Sequence, residues 1–504
     1  MAPRCRSWLS TPWYPLLFGA YPALALLASN VGEVGPAAAT RAVVTGILMA
    51  GALVLVLRRF AGSPNGAAFL TTLLLALFFS YGHAYLLLLA RIQFAELALP
   101  LITVWFLLAV GAVFWSRTHP PEPLSLNLVV TALVAASVFQ IARGSSHPRV
   151  DHRPPVENAP VRATLRLPES APDVYYFILD SYARSDLLQA AYGYDNGPFI
   201  AALEERGFYV ASCSQSNYVR TELSMASSLN MTYLQDLDSS FQAESTKRRL
   251  LWDALQHNAV RYLLEELGYK TVAFATGYAW NELKDADYYY SPPPLSSGLT
   301  EFEALLIQTT FARHLSDLGI LDPDEVTAQN YRDRFNLIFD SVSQIAEMPG
   351  LTFAHIHVIS PHPPFVFDAL GNPTHPADFW NAKRLYPAPL YAKGLVNQTA
   401  YVNSKVLQAI DEILSRSETE PVIILQGDHG PWLQTKEKRM RILNAYYLPD
   451  GTTALYPSIS PVNSFRVVLN EVFDGDYDML ADISYFSPVP DLYDFSVVPY
   501  PCTD

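Results

Sequence analysis

The hydrophobic positions divide the chain into two regions with different patterns. Up to residue 143 the apolar residues form long runs with almost no charge, whereas after residue 170 they form short segments between polar ones. The long runs cover residues 13–29, 42–57, 67–90, 97–115 and 128–141. Most of them approach the ~20 residues that a helix needs to cross a bilayer. The pattern predicts about five transmembrane helices in residues 1–143, with a pair of core helices as the alternative where Gly82 and His83 interrupt the third run.

The arginines between the runs predict the orientation. Pairs of arginines precede the first run and follow the second, and Arg117 follows the fourth, so these segments share one side if there are five helices. Positively charged flanks stay in the cytoplasm. Arg41 and Arg91 lie on the opposite side and depart from this rule. The prediction is a multi-pass protein of the cell membrane with all residues after Arg143 outside the cytoplasm.

The composition after the last run predicts a linker and one large outer domain. Residues 144–170 are rich in Pro, Ser, Arg and His and have no periodicity, which is typical of a linker. Residues 171–504 are long enough for one α/β domain. A net charge of −14 argues against nucleic acid as a partner, and the oligomeric state is left open. Cys213 and Cys502 would both lie outside, where they could pair.

Short apolar strands alternate with helical segments in the outer region. Strands are predicted at residues 173–180, 207–210, 270–274, 351–359 and 422–425, and helices at 185–206, 250–267, 332–345 and 401–415. This alternation predicts an α/β fold in which a mainly parallel central sheet is flanked by helices. The carboxyl ends of its strands are expected to gather at one cleft.

Two of these strand ends carry metal-ligand residue types. Asp428 and His429 follow the strand at 422–425, and Gly430 then turns the chain. An adjacent carboxylate and imidazole suit a zinc- or manganese-like cation, although such a pair could also cap a turn. Asp180 ends the first strand and is either a helix cap or a third ligand. Because parallel strands end at one edge, the three side chains are predicted to converge.

Thr221 is predicted to begin a helix, because Leu223, Met225 and Leu229 follow it with helical spacing. Amide N–H groups and the dipole at a helix start favour an anion such as a phosphoryl group. A neighbouring cation would also lower the pKa of the hydroxyl and make it a nucleophile. The alternative is that Thr221 is only an N-cap, and Ser224 is the reserve nucleophile.

His362 follows the strand at 351–359 and lies between Pro361 and Pro363. A histidine held between prolines suits a fixed proton donor or a contact to phosphoryl oxygens. His355 and His357 share one face of the strand and are interpreted as core or supporting histidines.

Together these motifs resemble the alkaline phosphatase superfamily, in the membrane-anchored sulfatase-like branch that contains lipoteichoic acid synthases and lipid A phosphoethanolamine transferases. The resemblance covers residues 173–470, and the five-helix anchor is also the layout of that branch. It implies that Asp180, Thr221, Asp428 and His429 hold one divalent metal ion, Zn or Mn. Thr221 would then be the nucleophile.

The resemblance also implies three contacts to the substrate, from His362, Arg184 and Ser224. Arg184 follows Asp180 by four residues, whereas the family usually has three. Cys213 does not lie in the Cys/Ser-x-Pro-x-Arg motif of true sulfatases, which disfavours sulfate-ester hydrolysis. The four basic residues at positions 436–441 either meet an anionic headgroup or form a solvated face.

The function implied by the resemblance is a membrane-anchored, metal-dependent phosphoryl-group transferase or hydrolase of the cell envelope. Its substrate would be a lipid-linked or glycan-linked phosphoester. Two alternatives remain: a sulfate-ester hydrolase that uses an unmodified hydroxyl, and a catalytically inactive membrane scaffold of the same fold.

Overall fold

The structure is a computed structural model that describes residues 11–31, 33–91, 98–145, 165–245, 248–293, 298–379, 385–449, 451, 453–489 and 491–499. Contacts divide the chain into two compact units. The first consists of Met1–Pro148, Pro294–Asn330 and Trp380–Leu385, and the second of Arg149–Pro293, Tyr331–Phe379 and Tyr386–Asp504. Residues 146–164 of the predicted linker lie outside the described residues, and the predicted domain boundaries stay a prediction.

The described part of the first unit is helical, whereas strands and helices alternate in the second. In chain order the helices are α1 (Tyr14–Ser29), α2 (Thr40–Leu57), α3 (Pro64–Arg91), α4 (Ala98–Thr118), α5 (Pro123–Ser145), α6 (Ser185–Tyr192), α7 (Gly197–Glu205), α8 (Thr221–Leu229), α9 (Leu234–Leu237), α10 (Arg248–Gln256), α11 (Ala259–Glu266), α12 (Glu301–Gln308), α13 (His314–Asp317), α14 (Pro323–Ser341), α15 (Ala388–Arg416), α16 (Lys436–Arg439) and α17 (Pro461–Phe473). The strands are β1 (Val174–Leu179), β2 (Tyr209–Val210), β3 (Lys270–Phe274), β4 (Tyr288–Tyr290), β5 (Thr352–Val358), β6 (Val422–Gly427), β7 (Asn444–Tyr447), β8 (Ser484–Phe486) and β9 (Ser496–Val498).

The five apolar runs form the helices α1 to α5, which confirms the predicted N-terminal helix bundle. Four stretches, in α2 to α5, are long and apolar enough to cross a membrane, and α1 is apolar but shorter. The third run is one continuous helix through Gly82 and His83 rather than a pair. The number of membrane crossings and the side on which the rest of the chain lies stay predictions.

Small residues let α1 and α2 approach each other closely. A Cβ added to Gly19 would collide with the carbonyl oxygen of Gly46, and a Cβ added to Gly46 would collide with that of Gly19. Close approach of backbones through small residues is a common way for helices to associate in membranes, where lipid supplies no hydrophobic drive. This contact explains how the shortest helix is held in the bundle.

Residues 298–330 also belong to the first unit, which the sequence pattern did not indicate. The Nε of Arg41, near the start of α2, donates to Oε1 of Glu303 in α12 at 2.6 Å. A Cβ on Gly82 would collide with the backbone at the end of α12, and the Arg313 guanidinium lies 3.7 Å from the centre of the Tyr85 ring. Arg41, which departs from the predicted cytoplasmic location of basic flanks, is therefore paired with an acid that neutralises its charge.

The second unit is organised around a seven-stranded sheet in the order β2-β7-β6-β1-β5-β3-β4. The strands from β6 to β4 in this order are parallel, whereas the pairs β6–β7 and β7–β2 are antiparallel. All residues of β1 and β6 are buried, as expected for parallel strands covered on both faces. The topology confirms the predicted α/β fold with a mainly parallel central sheet flanked by helices.

Two helices predicted as continuous are divided in the structure. Gly193, at φ +67°, ends α6 in the left-handed conformation that glycine adopts readily, so residues 185–206 form α6 and α7. The side chain of Asn258 accepts a hydrogen bond from the Arg261 amide and caps α11, which separates it from α10. The prediction also missed β4 and β7, because neither has an alternating apolar pattern.

Gly427 allows the turns that follow the carboxyl ends of β1 and β6 to lie against each other. It is the last residue of β6, and a Cβ at this position would collide with the carbonyl oxygen of Tyr182 in the turn after β1. Backbone atoms cannot rotate away as a side chain can. Only glycine therefore permits this approach of the residues that follow β1 and β6.

We expect Gly427→Ala to destabilise the sheet by about 1–3 kcal/mol, because the added methyl group must displace backbone. The midpoint of heat-induced loss of circular dichroism, measured on the full chain in detergent, reports this change. Gly35→Ala is the control, since no atom lies within 4 Å of its added Cβ. Equal midpoints for the two variants would show that the turns do not need glycine.

Candidate active site

The register of the sheet brings the two predicted carboxylates together. Leu179, the last residue of β1, pairs with Gly427, the last residue of β6, in the parallel ladder. Asp180 and Asp428 are the next residues on the two strands, so they leave the sheet side by side. His429 follows directly, and all three side chains are buried.

Asp180, Asp428 and His429 form a group that could hold a metal ion. Their ligand atoms all lie within 4.8 Å of one another. His429 Nε2 is 3.6 Å from Asp428 Oδ2 and 4.0 Å from Asp180 Oδ1. Ligands at about 2.0–2.2 Å from a tetrahedral zinc ion lie roughly 3.3–3.6 Å apart, so the group would have to contract to hold one.

The hydrogen bonds of Asp428 leave one carboxylate oxygen directed to this group. Its Oδ1 accepts from the amides of Ser181 at 2.9 Å and His429 at 2.8 Å. Its Oδ2 is buried and has no hydrogen-bond partner among the described atoms. A buried, unpartnered carboxylate oxygen is costly unless a cation or a donor meets it, which fits a metal ligand.

The charges of the two carboxylates also favour a cation. Burial and the charge of Asp428 raise the pKa of Asp180 to about 8. Burial alone would raise the pKa of Asp428 as well, but His429, His357 and the Ser181 amide lower it. Two adjacent buried carboxylates do not both ionise without a compensating positive charge. A divalent cation would supply that charge.

His429 is held in the tautomer that a metal ligand requires. Its Nδ1 lies 2.9 Å from the carbonyl oxygen of Gly430, which can only accept, so Nδ1 carries the proton. Nε2 then faces the two carboxylates, where it could bind a metal ion. Ser181 follows Asp180, and its amide donates to Asp428 Oδ1. Its φ of +64° is rare for a residue other than glycine, and such conformations are frequent at functional sites.

Thr221 lies against this group at the start of α8. Its Oγ1 is 3.2 Å from His429 Nε2. Arg220 occupies the N-cap position and makes no side-chain cap, so Thr221 is the first helical residue rather than the N-cap. Ser224 lies one turn further along α8 and is 2 % exposed.

His362 is fixed next to the same turn. Its amide donates to the carbonyl oxygen of Asp180 at 3.1 Å, and its Nδ1 lies 2.5 Å from the Pro363 carbonyl oxygen, so Nδ1 is the donor. Burial lowers the pKa of His362; Pro363 and Asp428 oppose this shift, and Arg439 adds to it. The neutral ring therefore presents a bare Nε2.

The two strand histidines have supporting positions. His357 Nε2 is 3.8 Å from Asp180 Oδ2, and its Nδ1 accepts from the Asn281 amide at 2.9 Å. The neutral ring thus directs its Nε2 proton towards the Asp180 carboxylate. His355 packs edge-on against Tyr176 in the core.

The Arg184 guanidinium forms hydrogen bonds with other groups of the protein. Its Nε and Nη2 donate to the Asp186 carboxylate at 2.8 and 2.9 Å, and Nη1 donates to the Ser214 carbonyl at 3.0 Å. Its predicted contact to substrate stays a prediction, as do the roles of Thr221, Ser224 and His362.

Arg439 is a site residue that the sequence did not single out from its basic neighbours. Its Nη2 donates to the carbonyl oxygen of Val219, two residues before Thr221, at 2.8 Å. Its Nε is buried without a hydrogen-bond partner among the described atoms. Burial and the nearby Arg220 lower its pKa, while Tyr391 and Asp428 oppose this shift.

The other basic residues of this stretch face away from the site. Lys436 and Lys438 are exposed, and Arg441 Nη1 donates to Asp186 Oδ2 at 2.8 Å. The one sequence feature that could have indicated a role for Arg439 is that the basic run comes shortly after the Asp-His-Gly motif. Cys213 is disulfide-bonded, and Cys502, with which it could pair, lies outside the described residues.

Structure comparisons match the chain to distant relatives in fold. The zinc complex of the C-terminal periplasmic domain of EcEptC from Escherichia coli is 12% identical with a TM-score of 0.44, and the match covers 68% of this chain and 96% of that one. The integral membrane lipooligosaccharide phosphoethanolamine transferase A (EptA) from Neisseria meningitidis is 12% identical with a TM-score of 0.39, covering 91% and 95%. BT1596, a 2-O GAG sulfatase, is 13% identical with a TM-score of 0.37, covering 61% and 71%.

By name, the matched proteins include a lipooligosaccharide phosphoethanolamine transferase and a 2-O GAG sulfatase. No protein-family model and no curated protein matches the chain. Similarity at this level assigns neither an activity nor a residue role to this chain.

We expect Asp428→Ala and His429→Ala to lose bound metal, because a site with so few protein ligands cannot hold its cation after losing one. Elemental mass spectrometry of the purified chain should give about one metal ion per wild-type molecule and far less for either variant. His375→Ala is the matched histidine control, since His375 is not one of the three residues of this group and its Nδ1 accepts a bond from the Ala377 amide. Equal metal content in all these proteins would contradict the assignment.

Proposed function

We propose that the chain is a membrane-anchored, metal-dependent phosphoryl-group transferase or hydrolase that acts outside the cytoplasm on a lipid-linked or glycan-linked phosphoester. The observation that carries this proposal is the contact between Thr221 Oγ1 and His429 Nε2, at 3.2 Å, beside a buried pair of carboxylates. A hydroxyl at a helix start, next to a group suited to a cation, is the arrangement expected of an activated oxygen nucleophile.

Asp180, Asp428 and His429 would hold the cation, with Thr221 Oγ1 beside it. A divalent cation there would lower the pKa of the Thr221 hydroxyl and offset the charge that develops on the phosphoryl oxygens. Zinc and manganese both accept such oxygen and nitrogen ligands. The amides of Ser181 and His429, which donate to Asp428 Oδ1, and the Gly430 carbonyl, which accepts from His429 Nδ1, keep these protein ligands oriented.

In the first step, the Thr221 hydroxyl gives its proton to solvent, and Oγ1 forms a bond to phosphorus. The bond between phosphorus and the leaving oxygen breaks, and that oxygen keeps the electron pair. His362 Nε2, which is unprotonated in the resting site, would take a proton from solvent and either pass it to the leaving oxygen or donate it in a hydrogen bond to a phosphoryl oxygen while solvent protonates the leaving oxygen. The amides at the start of α8 and the Arg439 guanidinium bind the remaining phosphoryl oxygens.

In the second step, the phosphoryl group leaves Thr221 for another oxygen. Attack by water makes the enzyme a hydrolase, whereas attack by a lipid or glycan hydroxyl makes it a transferase. The bond from phosphorus to Thr221 Oγ1 breaks, and Thr221 Oγ1 regains a proton. The apolar helices favour a donor or acceptor that is itself held in the membrane.

We expect Thr221→Ala to reduce turnover of an aryl phosphodiester by roughly 10³-fold or more, because the nucleophile is removed. Thr221→Ser should retain measurable turnover, since the hydroxyl remains. Bound metal and thermal midpoint should stay close to wild type in both variants, because neither loses a charged ligand. Steady-state kinetics together with elemental analysis measure these outcomes.

Thr232→Ala is the control for a threonine just beyond the other end of α8, and it should keep wild-type turnover. Wild-type turnover in Thr221→Ala would contradict the nucleophile assignment. Faster turnover of an aryl sulfate than of the phosphodiester would favour the sulfate-ester hydrolase. Absence of both activities in a metal-loaded wild-type protein would favour the inactive scaffold.

We expect Arg439→Met to lower kcat/KM for the phosphodiester by about 10- to 100-fold, the effect of losing one charge-assisted hydrogen bond to a phosphoryl oxygen. Arg439→Lys should recover part of this loss, because the charge is restored without the planar guanidinium. Lys436→Met is the control on the exposed side of α16. Unchanged kcat/KM in Arg439→Met would show that the guanidinium has only a structural role.

A further inference from the structure

The helix bundle of the first unit contains a cavity of about 790 Å³. It lies between α1, α3 and α4, and α12 contributes to its wall. Most of its surface is apolar, including Phe18, Leu73, Leu108, Trp115 and Leu306. The candidate active site does not use it, because every residue in its wall belongs to the first unit.

Apart from Tyr21 and Trp115, the polar side chains of this cavity lie at one end. Ser29 is the last residue of α1, Ser80 and His83 lie in the last part of α3, and Thr309 follows α12. These positions are at the end of the bundle where α12 packs, the end that also carries the Arg41–Glu303 ion pair. The opposite end is formed by large apolar and aromatic side chains. The cavity is therefore amphipathic along its length.

The length of the cavity matches one leaflet of a bilayer. The positions Phe18 and Ser29 are separated by a rise of about 16 Å along α1, and Leu73 and His83 by about 15 Å along α3. The hydrocarbon core of a bilayer is about 30 Å thick. A ligand lying along these helices would thus cross half of the core, with its polar end at the surface.

We propose that this cavity binds one acyl chain of a phosphate-bearing lipid, with the headgroup at the end formed by Ser29, Ser80, His83 and Thr309. An apolar cavity does not hold ordered water, and within a bilayer the apolar molecules at hand are lipid chains. The hydroxyls of Ser29 and Thr309 already donate to carbonyl oxygens of their own helices. They remain free to accept hydrogen bonds, and His83 offers a donor for a phosphate oxygen.

This proposal rests on the proposed function in one respect, since it identifies the bound lipid with the lipid-linked phosphoester. The site would hold the substrate by its chain and leave its phosphoester at the membrane surface. Binding energy from the acyl chain would then raise the local concentration of the phosphoester at the protein. A water-soluble phosphodiester has no chain and would not depend on the cavity.

Two substitutions fill the cavity from different helices. No atom lies within 4 Å of a Cβ added to Gly111 in α4, so Gly111→Phe places its ring in open space. Ala76→Phe enlarges a side chain that lines the cavity on α3. Ala135→Phe on α5 is the matched control, because Ala135 is exposed on the outer surface of the bundle.

The test uses the full chain in phosphatidylcholine vesicles that contain a phospholipid with a photoactivatable diazirine on its acyl chain. After irradiation, peptide mass spectrometry should place the label on cavity-lining residues of α1, α3 and α4. Gly111→Phe and Ala76→Phe should reduce this labelling several-fold, whereas Ala135→Phe should not. Labelling of the cavity peptides that is unchanged in both variants would overturn the proposal, and so would a loss that is equal in Ala135→Phe.

Kinetics separate this proposal from the proposed function. The two cavity variants should lose turnover of a lipid-linked phosphoester and keep wild-type turnover of the soluble aryl phosphodiester. If the wild-type protein turns over neither substrate, the proposed function fails, yet the labelling experiment still decides whether the cavity binds a chain. If the cavity variants keep full turnover of the lipid-linked phosphoester, the identification of the bound lipid with the substrate is wrong.

Discussion

The enforced proximity of two buried carboxylates is the constraint on which the rest of the site depends. Asp180 and Asp428 are adjacent because β1 and β6 are parallel neighbours in register and Gly427 lets the turns after them touch. Burial makes this arrangement unfavourable for two negative charges, and it raises the pKa of Asp180 to about 8. A divalent cation would offset the repulsion between the two negative charges. We infer that the fold keeps these acids together in order to bind one.

The surrounding residues orient or balance the charged side chains of this group. The backbone amides of Ser181 and His429 fix one oxygen of Asp428, and the Gly430 carbonyl fixes the proton on His429 Nδ1. On the opposite side, Arg439 and the start of α8 add positive character next to Thr221. In the proposed function, the two carboxylates would bind a cation, and Arg439 and the start of α8 would bind a phosphoryl group.

The sequence predicted the parts of this site that depend on local pattern. A short apolar run followed by Asp428 and His429 indicates a strand end, and helical spacing after Thr221 indicates a helix start. The burial of Arg439 depends on how residues 430–439 fold back, with the Gly430 amide on the Arg439 carbonyl oxygen, and no periodicity reports that. Likewise, the sequence of α12 does not show that it packs on the helix bundle, because an amphipathic helix suits either unit.

The central claim is that Thr221 carries the phosphoryl group in a covalent intermediate. It is tested most directly by quenching a reaction of the wild-type protein in acid during turnover of an aryl phosphodiester and locating the modification by peptide mass spectrometry. The account predicts an added phosphoryl group on Thr221, absent from Thr221→Ala. Turnover without any modification of Thr221, or with the group on Ser224, would contradict it.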